Sequence, residues 1–254
     1  MALIITHSVG RNAINRLEDV IAVKARLIEL GFVWLRPDAL IDMQTIETLR
    51  LFQAIKNGHQ IVSRRANDGR IDVDGDTQRW LNAINAPRWQ IMPLGSRPEG
   101  FQNVELFQTN DNHDYGTNWL ADVIRAAGQA YSTDYLIDHP TAALITINDV
   151  SLAQGGNSPD HKGHETGLSC DLRLPKLNGE SGGIRITSGQ YDQSTMRAML
   201  TAFRAQSQTT TIFFNDPDLV SDGLCMVAAG HDGHAHVEIA PPVRQVDMRL
   251  TKLM

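Results

Sequence analysis

The histidines of this chain are concentrated in two short stretches, and this clustering constrains the fold more than any other sequence feature. Five of the nine histidines lie within residues 155–173 and 230–239. Zinc is usually bound by imidazole nitrogens and carboxylate oxygens in a tetrahedron, and a catalytic site leaves one position to water. His164 and Asp171, together with one histidine of the second stretch, would form such an open three-ligand site. The fold must therefore bring two distant segments together.

The second stretch contains the sequence HAHVEI, which alternates in the manner of a β-strand. Side chains two residues apart on a strand leave the same face, so His234 and His236 should point the same way. Ala235 and Val237 should then face a hydrophobic core. One of the two histidines can bind a metal ion while the other lies beside the water position.

The order and spacing of these residues resemble a known family. The pattern is H-x6-D, from His164 to Asp171, followed by H-x2-H-x-H, which comprises His231, His234 and His236. It is similar to the penicillin-insensitive murein endopeptidases, in the fold group of lysostaphin, the D-Ala-D-Ala peptidases and the hedgehog signalling domain. The resemblance extends from about Pro93 to the C-terminus. It implies zinc ligands His164, Asp171 and His236, with His231 and His234 as catalytic histidines.

The general base can be argued from a missing carboxylate. In the related D-Ala-D-Ala peptidases a glutamate lies three residues before the last histidine ligand, and Gly233 occupies that position here. His234 is then the natural base, because an imidazole pKa near ~6.5 matches the pKa of ~7 of a zinc-activated water. His231 would stabilise the oxyanion or protonate the leaving amine. Glu238, on the same face as His236, would either orient that ligand's second nitrogen or be an exposed strand carboxylate.

Other polar residues near the two stretches have less defined roles. His161 also matches a family histidine and would act as a partner of the metal ligands, a substrate contact or an additional ligand. Asp149 is expected to cap or brace the loop that carries the first stretch. Lys162 and Arg173 could bind a substrate carboxylate, although solvated surface charge is the simpler interpretation. The remaining histidines lack patterned partners and are predicted to be ordinary surface or loop residues: His7, His59, His113 and His139.

Apolar periodicity predicts an α+β fold, in which helices are segregated from a small antiparallel sheet. Residues 1–86 resemble a peptidoglycan-binding three-helix module, residues 87–94 form a linker, and residues 95–254 form the zinc metallopeptidase domain. A helical bundle used only for docking or folding is the alternative for the first region. Helices are predicted at residues 17–30, 45–58, 77–83, 118–131 and 194–205, and further strands at residues 104–108, 143–150, 211–214 and 226–229.

Composition and charge restrict the partners of the chain. The 254 residues carry a net charge of −6, which gives no electrostatic reason to bind nucleic acid or an anionic membrane surface. No apolar run approaches the ~18 residues of a membrane span. Two cysteines, Cys170 and Cys225, are too few for a disulfide scaffold. We expect buried free thiols, with a Cys170–Cys225 bridge as the alternative.

The N-terminus lacks the features of a secretory signal peptide, so we expect synthesis in the cytoplasm and action in the periplasm or cell wall. Release would follow lysis, as for a phage endolysin, or delivery as an antibacterial effector, with a secretion-system component or an immunity protein as possible partners. The resemblance implies zinc-dependent hydrolysis of the D-alanyl–diaminopimelate cross-links between peptidoglycan peptide stems. The alternatives are a D,D-carboxypeptidase and a catalytically silent, zinc-containing wall-binding protein.

Overall fold

A computed structural model describes residues 2–108, 113–158 and 163–246. The fold is α+β, as predicted. The helices and strands are, in chain order, β1 (Val9–Gly10), α1 (Leu17–Glu29), α2 (Met43–Lys56), β2 (Arg70–Ile71), α3 (Asp76–Leu81), β3 (Trp89–Ile91), β4 (Gly95–Ser96), β5 (Phe101–Asn103), β6 (Tyr115–Thr117), α4 (Asn118–Tyr131), β7 (Ile145–Ile147), β8 (Ser169–Pro175), β9 (Ser181–Gly182), α5 (Gln193–Arg204), β10 (Thr209–Phe213), α6 (Pro217–Ser221) and β11 (His234–Ile239).

The first three helices occupy the predicted positions. Helix α1 buries Val20, Val23 and Leu27 on one face. It is followed by Gly31 at φ +97°, where an added Cβ would lie 2.0 Å from the Trp89 carbonyl oxygen. Only glycine fits this close approach, because it has no Cβ and readily adopts positive φ.

These helices do not by themselves confirm the predicted three-helix module. They are accompanied by the β1–β2 pair, and their buried side chains belong to the same hydrophobic cluster as those of the sheet. Trp89 stacks on Phe32 with ring centroids 6.2 Å apart, although it lies in β3, within the segment predicted as a linker. The proposed domain boundary at residues 87–94 stays a prediction.

The main sheet carries the candidate site. Its strand order is β10-β11-β8-β7-β5-β4, and β9 pairs with the end of β8. The sheet is larger than predicted and not wholly antiparallel, since β5 and β7 pair in parallel. Helices α4 and α5 begin at the side-chain caps Thr117 and Asp192, which accept hydrogen bonds from backbone N–H groups in the first turn.

Two predicted strands are wrong. Residues 104–108 form a 3-10 turn at Glu105–Phe107 that follows the short strand β5, and Glu105 is buried. The side chain of Asn103 accepts a hydrogen bond from the Glu105 N–H (3.0 Å), which turns the backbone out of the strand. Residues 226–229 contribute only an isolated bridge from Met226 to Phe213.

A close backbone contact holds the loop before β8 against the start of α4. Thr117, at the start of α4, donates to the Gly167 carbonyl from both its N–H and its hydroxyl, at 3.1 and 3.0 Å. At Gly167 (φ +60°) an added Cβ would lie 2.4 Å from the Cα of Gly116. This loop ends in β8 and includes His164, so the glycine contact helps to position the site.

Both cysteines are buried free thiols, as expected. Burial raises the pKa of the Cys170 thiol, and it raises that of Cys225 to about 11. None of the helices in the described part of the chain combines the length and apolar character that a membrane span requires.

Candidate metal centre

Three side chains from the two histidine-rich stretches converge at the centre of the main sheet. The candidate ligand atoms of His164, Asp171 and His236 all lie within 4.8 Å of one another, and the three residues are buried. Strands β8 and β11 pair antiparallel with Asp171 opposite His236. His164 reaches the same point from the loop that precedes β8. This group, the first ligand group, could hold a metal ion.

The contacts of the two imidazoles indicate which nitrogens face the ion position. His164 Nε2 lies 3.3 Å from Asp171 Oδ1, whereas its Nδ1 lies 2.8 Å from the Val150 carbonyl oxygen. His236 Nδ1 lies 2.9 Å from the same carboxylate oxygen. The Val150 contact of His164 is the kind by which a metal-binding histidine fixes its tautomer and orientation through its second ring nitrogen.

Glu238 is the neighbour of the other His236 nitrogen. Its Oε1 lies 3.6 Å from His236 Nε2, which is an electrostatic contact rather than a hydrogen bond. Strand alternation places Glu238 on the face that also carries His236, opposite Ser169 of β8. The geometry is compatible with a role in orienting His236 and differs from that of a freely exposed carboxylate.

The electrostatics of the first ligand group favour an ionised aspartate between two imidazoles. Burial alone would raise the pKa of Asp171, but the charges and hydrogen bonds of His164 and His236 hold it well below its usual value. Burial lowers the pKa of His236, and the more strongly opposing contacts with Asp171 and Glu238 raise it to about 9. A cation can replace the proton that this arrangement attracts, because metal binding requires a deprotonated ligand.

Two further histidines lie beside the first ligand group. His234 is half-buried, with its Nε2 3.6 Å from Asp171 Oδ2. Burial lowers the pKa of His234, and the neighbouring histidines add to this effect despite the attraction of Asp171. His231 lies with its ring centroid 4.9 Å from that of His234, and its Nδ1 is 3.0 Å from the Ala229 carbonyl oxygen. A neutral His234 can accept a proton at neutral pH.

The three residues of the first ligand group and the two adjacent histidines, His231 and His234, line one cavity of about 820 Å³. Arg173 also lines it, two residues after Asp171 and on the same face of β8. Its Nε donates to the Asn148 side-chain oxygen at 2.7 Å, and Asn148 lines the same cavity. Arg173 is therefore not a simple solvated charge. His161 and Lys162 lie outside the described residues.

A second buried group of candidate ligands adjoins the first. The ligand atoms of Glu105, His113 and Asp149 also lie within 4.8 Å of one another. His113, predicted to be an ordinary surface or loop residue, lies outside the helices and strands but is not at the surface, since only 4% of it is exposed. Asp149 does belong to the loop that supports the first group. No spacing pattern in the sequence indicates this second ligand group, because its three members come from separate segments.

No protein-family model matches this chain, and a comparison with curated proteins finds no match either. The first ligand group, its cavity and the two adjacent histidines are the observations on which a function can be argued.

Proposed function

We propose that this chain is a zinc-dependent peptidase that hydrolyses the peptide cross-links of bacterial peptidoglycan. The observation that carries the proposal is the first ligand group, which opens to a cavity lined by His231 and His234. A purely structural zinc site is usually closed by a fourth protein ligand. The combination of three ligands with a polar cavity is typical of a site that admits water and substrate.

The donor set suits zinc better than the common alkaline-earth ions. Two imidazole nitrogens and one carboxylate oxygen favour zinc, whereas calcium and magnesium prefer oxygen ligands alone. A zinc ion in such a site supplies Lewis acidity and lowers the pKa of water from ~15.7 to ~7. His164, Asp171 and His236 would hold it.

The chain's own residues would perform the proton transfers. The lowered pKa of His234 favours its neutral form at pH 7, in which it can accept a proton from the attacking water. His231, next to His234, would donate a hydrogen bond to the oxyanion or a proton to the leaving amine. Arg173 lines the same cavity and offers a cation for a carboxylate of the peptide stem.

The N-terminal region fits a role in presenting the wall to this site. Its backbone reaches the metal-site loop directly, since the Val62 N–H donates to Glu165 Oε2 at 2.7 Å. Glu165 is the residue after the ligand His164. Binding of the full chain to purified sacculi, compared with a Glu165→Ala variant, tests whether this contact contributes to wall binding or only to stability.

Digestion of purified sacculi tests the activity. The zinc-loaded chain should convert cross-linked dimers into monomers, identified by mass spectrometry of the muropeptides, and EDTA should stop the conversion. Release of D-alanine without loss of dimers would indicate a carboxypeptidase instead. Zinc binding without any product would indicate a wall-binding protein that has no turnover.

A further inference from the structure

We propose that Glu105, His113 and Asp149 form a second metal site, which binds a divalent ion of the first transition series. The inference concerns metal binding alone and goes beyond the proposed peptidase activity. Glu105, His113 and Asp149 are 1%, 4% and 7% exposed, respectively. Their ligand atoms converge within 4.8 Å, as do those of the first ligand group.

The ligand chemistry indicates the class of ion. Carboxylates suit manganese, and imidazole suits zinc and its neighbours, so two carboxylates and one imidazole favour a borderline divalent ion such as Zn²⁺ or Mn²⁺.

Neighbouring side chains hold the candidate ligands in place. Ser158 Oγ lies 2.9 Å from His113 Nε2, and the Gln108 amide donates to Glu105 Oε2 at 2.8 Å. The side chain of Asn148 donates to Asp149 Oδ2 at 2.5 Å. Such outer hydrogen bonds orient the ligands of established metal sites and raise their basicity.

The segment Asn148–Val150 connects the proposed site to the first ligand group. The Asn148 N–H donates to the Asp171 carbonyl (2.8 Å), and the Asp171 N–H donates to the Asp149 carbonyl (2.9 Å). The Val150 carbonyl oxygen lies 2.8 Å from His164 Nδ1. The Val150 N–H donates to the His113 carbonyl oxygen, also at 2.8 Å. An ion at the second site would therefore brace the backbone that contacts two of the three ligands of the first group, His164 and Asp171.

Metal stoichiometry of the full chain tests the proposal without any substrate. Metal-free protein is titrated with Zn²⁺, and a parallel sample with Mn²⁺, and bound metal is measured by mass spectrometry after removal of the free ion. We expect two equivalents in the wild type with Zn²⁺, and one in Glu105→Gln. Asp138→Asn, which removes an exposed carboxylate, is the matched control and should keep two.

Variants of the first ligand group provide the independent arm. A His164→Ala/His236→Ala protein should retain one equivalent of Zn²⁺, held by the second group. One equivalent in the wild type, or none in this double variant, would overturn the proposal. The proposal would also be overturned if Glu105→Gln keeps two equivalents of Zn²⁺. Circular dichroism identifies a variant that fails to fold, and in that case the wild-type stoichiometry decides alone.

Discussion

The two ligand groups are alike in burial and in the convergence of their atoms, but they differ in what surrounds them. The first group opens to a cavity and has His231 and His234 beside it. Of the second group, only Asp149 contributes to the wall of that cavity. Burial and convergence of the ligand atoms alone would therefore not separate the two proposed roles, a reactive ion and a bracing ion. The open cavity and the adjacent histidines distinguish the first group.

The largest expected effect comes from Asp171→Asn. This change removes the carboxylate between two imidazoles, so the first ion should be lost and cleavage of sacculi should become undetectable. Asp149→Asn is the counterpart, and it should lose the second ion but keep the first. Equal loss of activity in both variants, with the first ion still present in Asp149→Asn, would contradict the separation of roles.

His234→Ala should abolish proton transfer without affecting the ligands. We expect the rate of cleavage to fall by about 10²- to 10⁴-fold, the usual contribution of a general base. Zinc content should remain that of the wild type. His139→Ala, which removes an exposed histidine, is the control for rate. Cleavage at the wild-type rate in His234→Ala would disprove the assignment of the base.

The acid–base properties of the first group predict a pH-dependent zinc affinity. The His236 pKa of about 9 means that a bound proton must leave before zinc binds at any lower pH. The apparent affinity should therefore rise about tenfold per pH unit between pH 6 and 8. Competition with a chelator of known pH dependence measures this affinity. The Asp149→Asn variant is used, so that only zinc bound by the first ligand group is followed. A flat profile would mean that His236 is already deprotonated.

Glu238→Gln should have the smallest effect. Loss of an outer partner usually lowers metal affinity about 10- to 100-fold, and the 3.6 Å contact with His236 predicts the lower end of this range. The exposed residue Glu180 supplies the control variant, Glu180→Gln, whose affinity should equal that of the wild type. An unchanged affinity in Glu238→Gln would make Glu238 a bystander on the strand.

The sequence predicted the first ligand group far better than the second because much of the first group's pattern lies between residues that are close in the chain. His164 and Asp171 are close in the chain, and His234 and His236 follow strand alternation, so local spacing carries the information. Glu105 and His113 meet Asp149 only through the tertiary fold, in which β5 and β7 pair in parallel. No short-range pattern records such a meeting.

The errors in secondary structure have a similar origin. Residues 104–108 are apolar enough for a strand, but the Asn103 side chain bonds the backbone of Glu105 and starts a turn. Met226 and Val227 would suit a buried strand, yet both side chains are exposed. A side-chain hydrogen bond accounts for the first segment and solvent exposure for the second, and propensity reports neither.

The alternation of strand β8 sets a strict rule for changes in its length. Asp171 and Arg173 face the cavity, whereas Cys170, Leu172 and Leu174 are wholly buried in the core on the other side. Inserting or deleting one residue within the strand would exchange these two sets. Natural variants and grafted versions of this site should therefore accept length changes in the connecting loops and reject them within this strand.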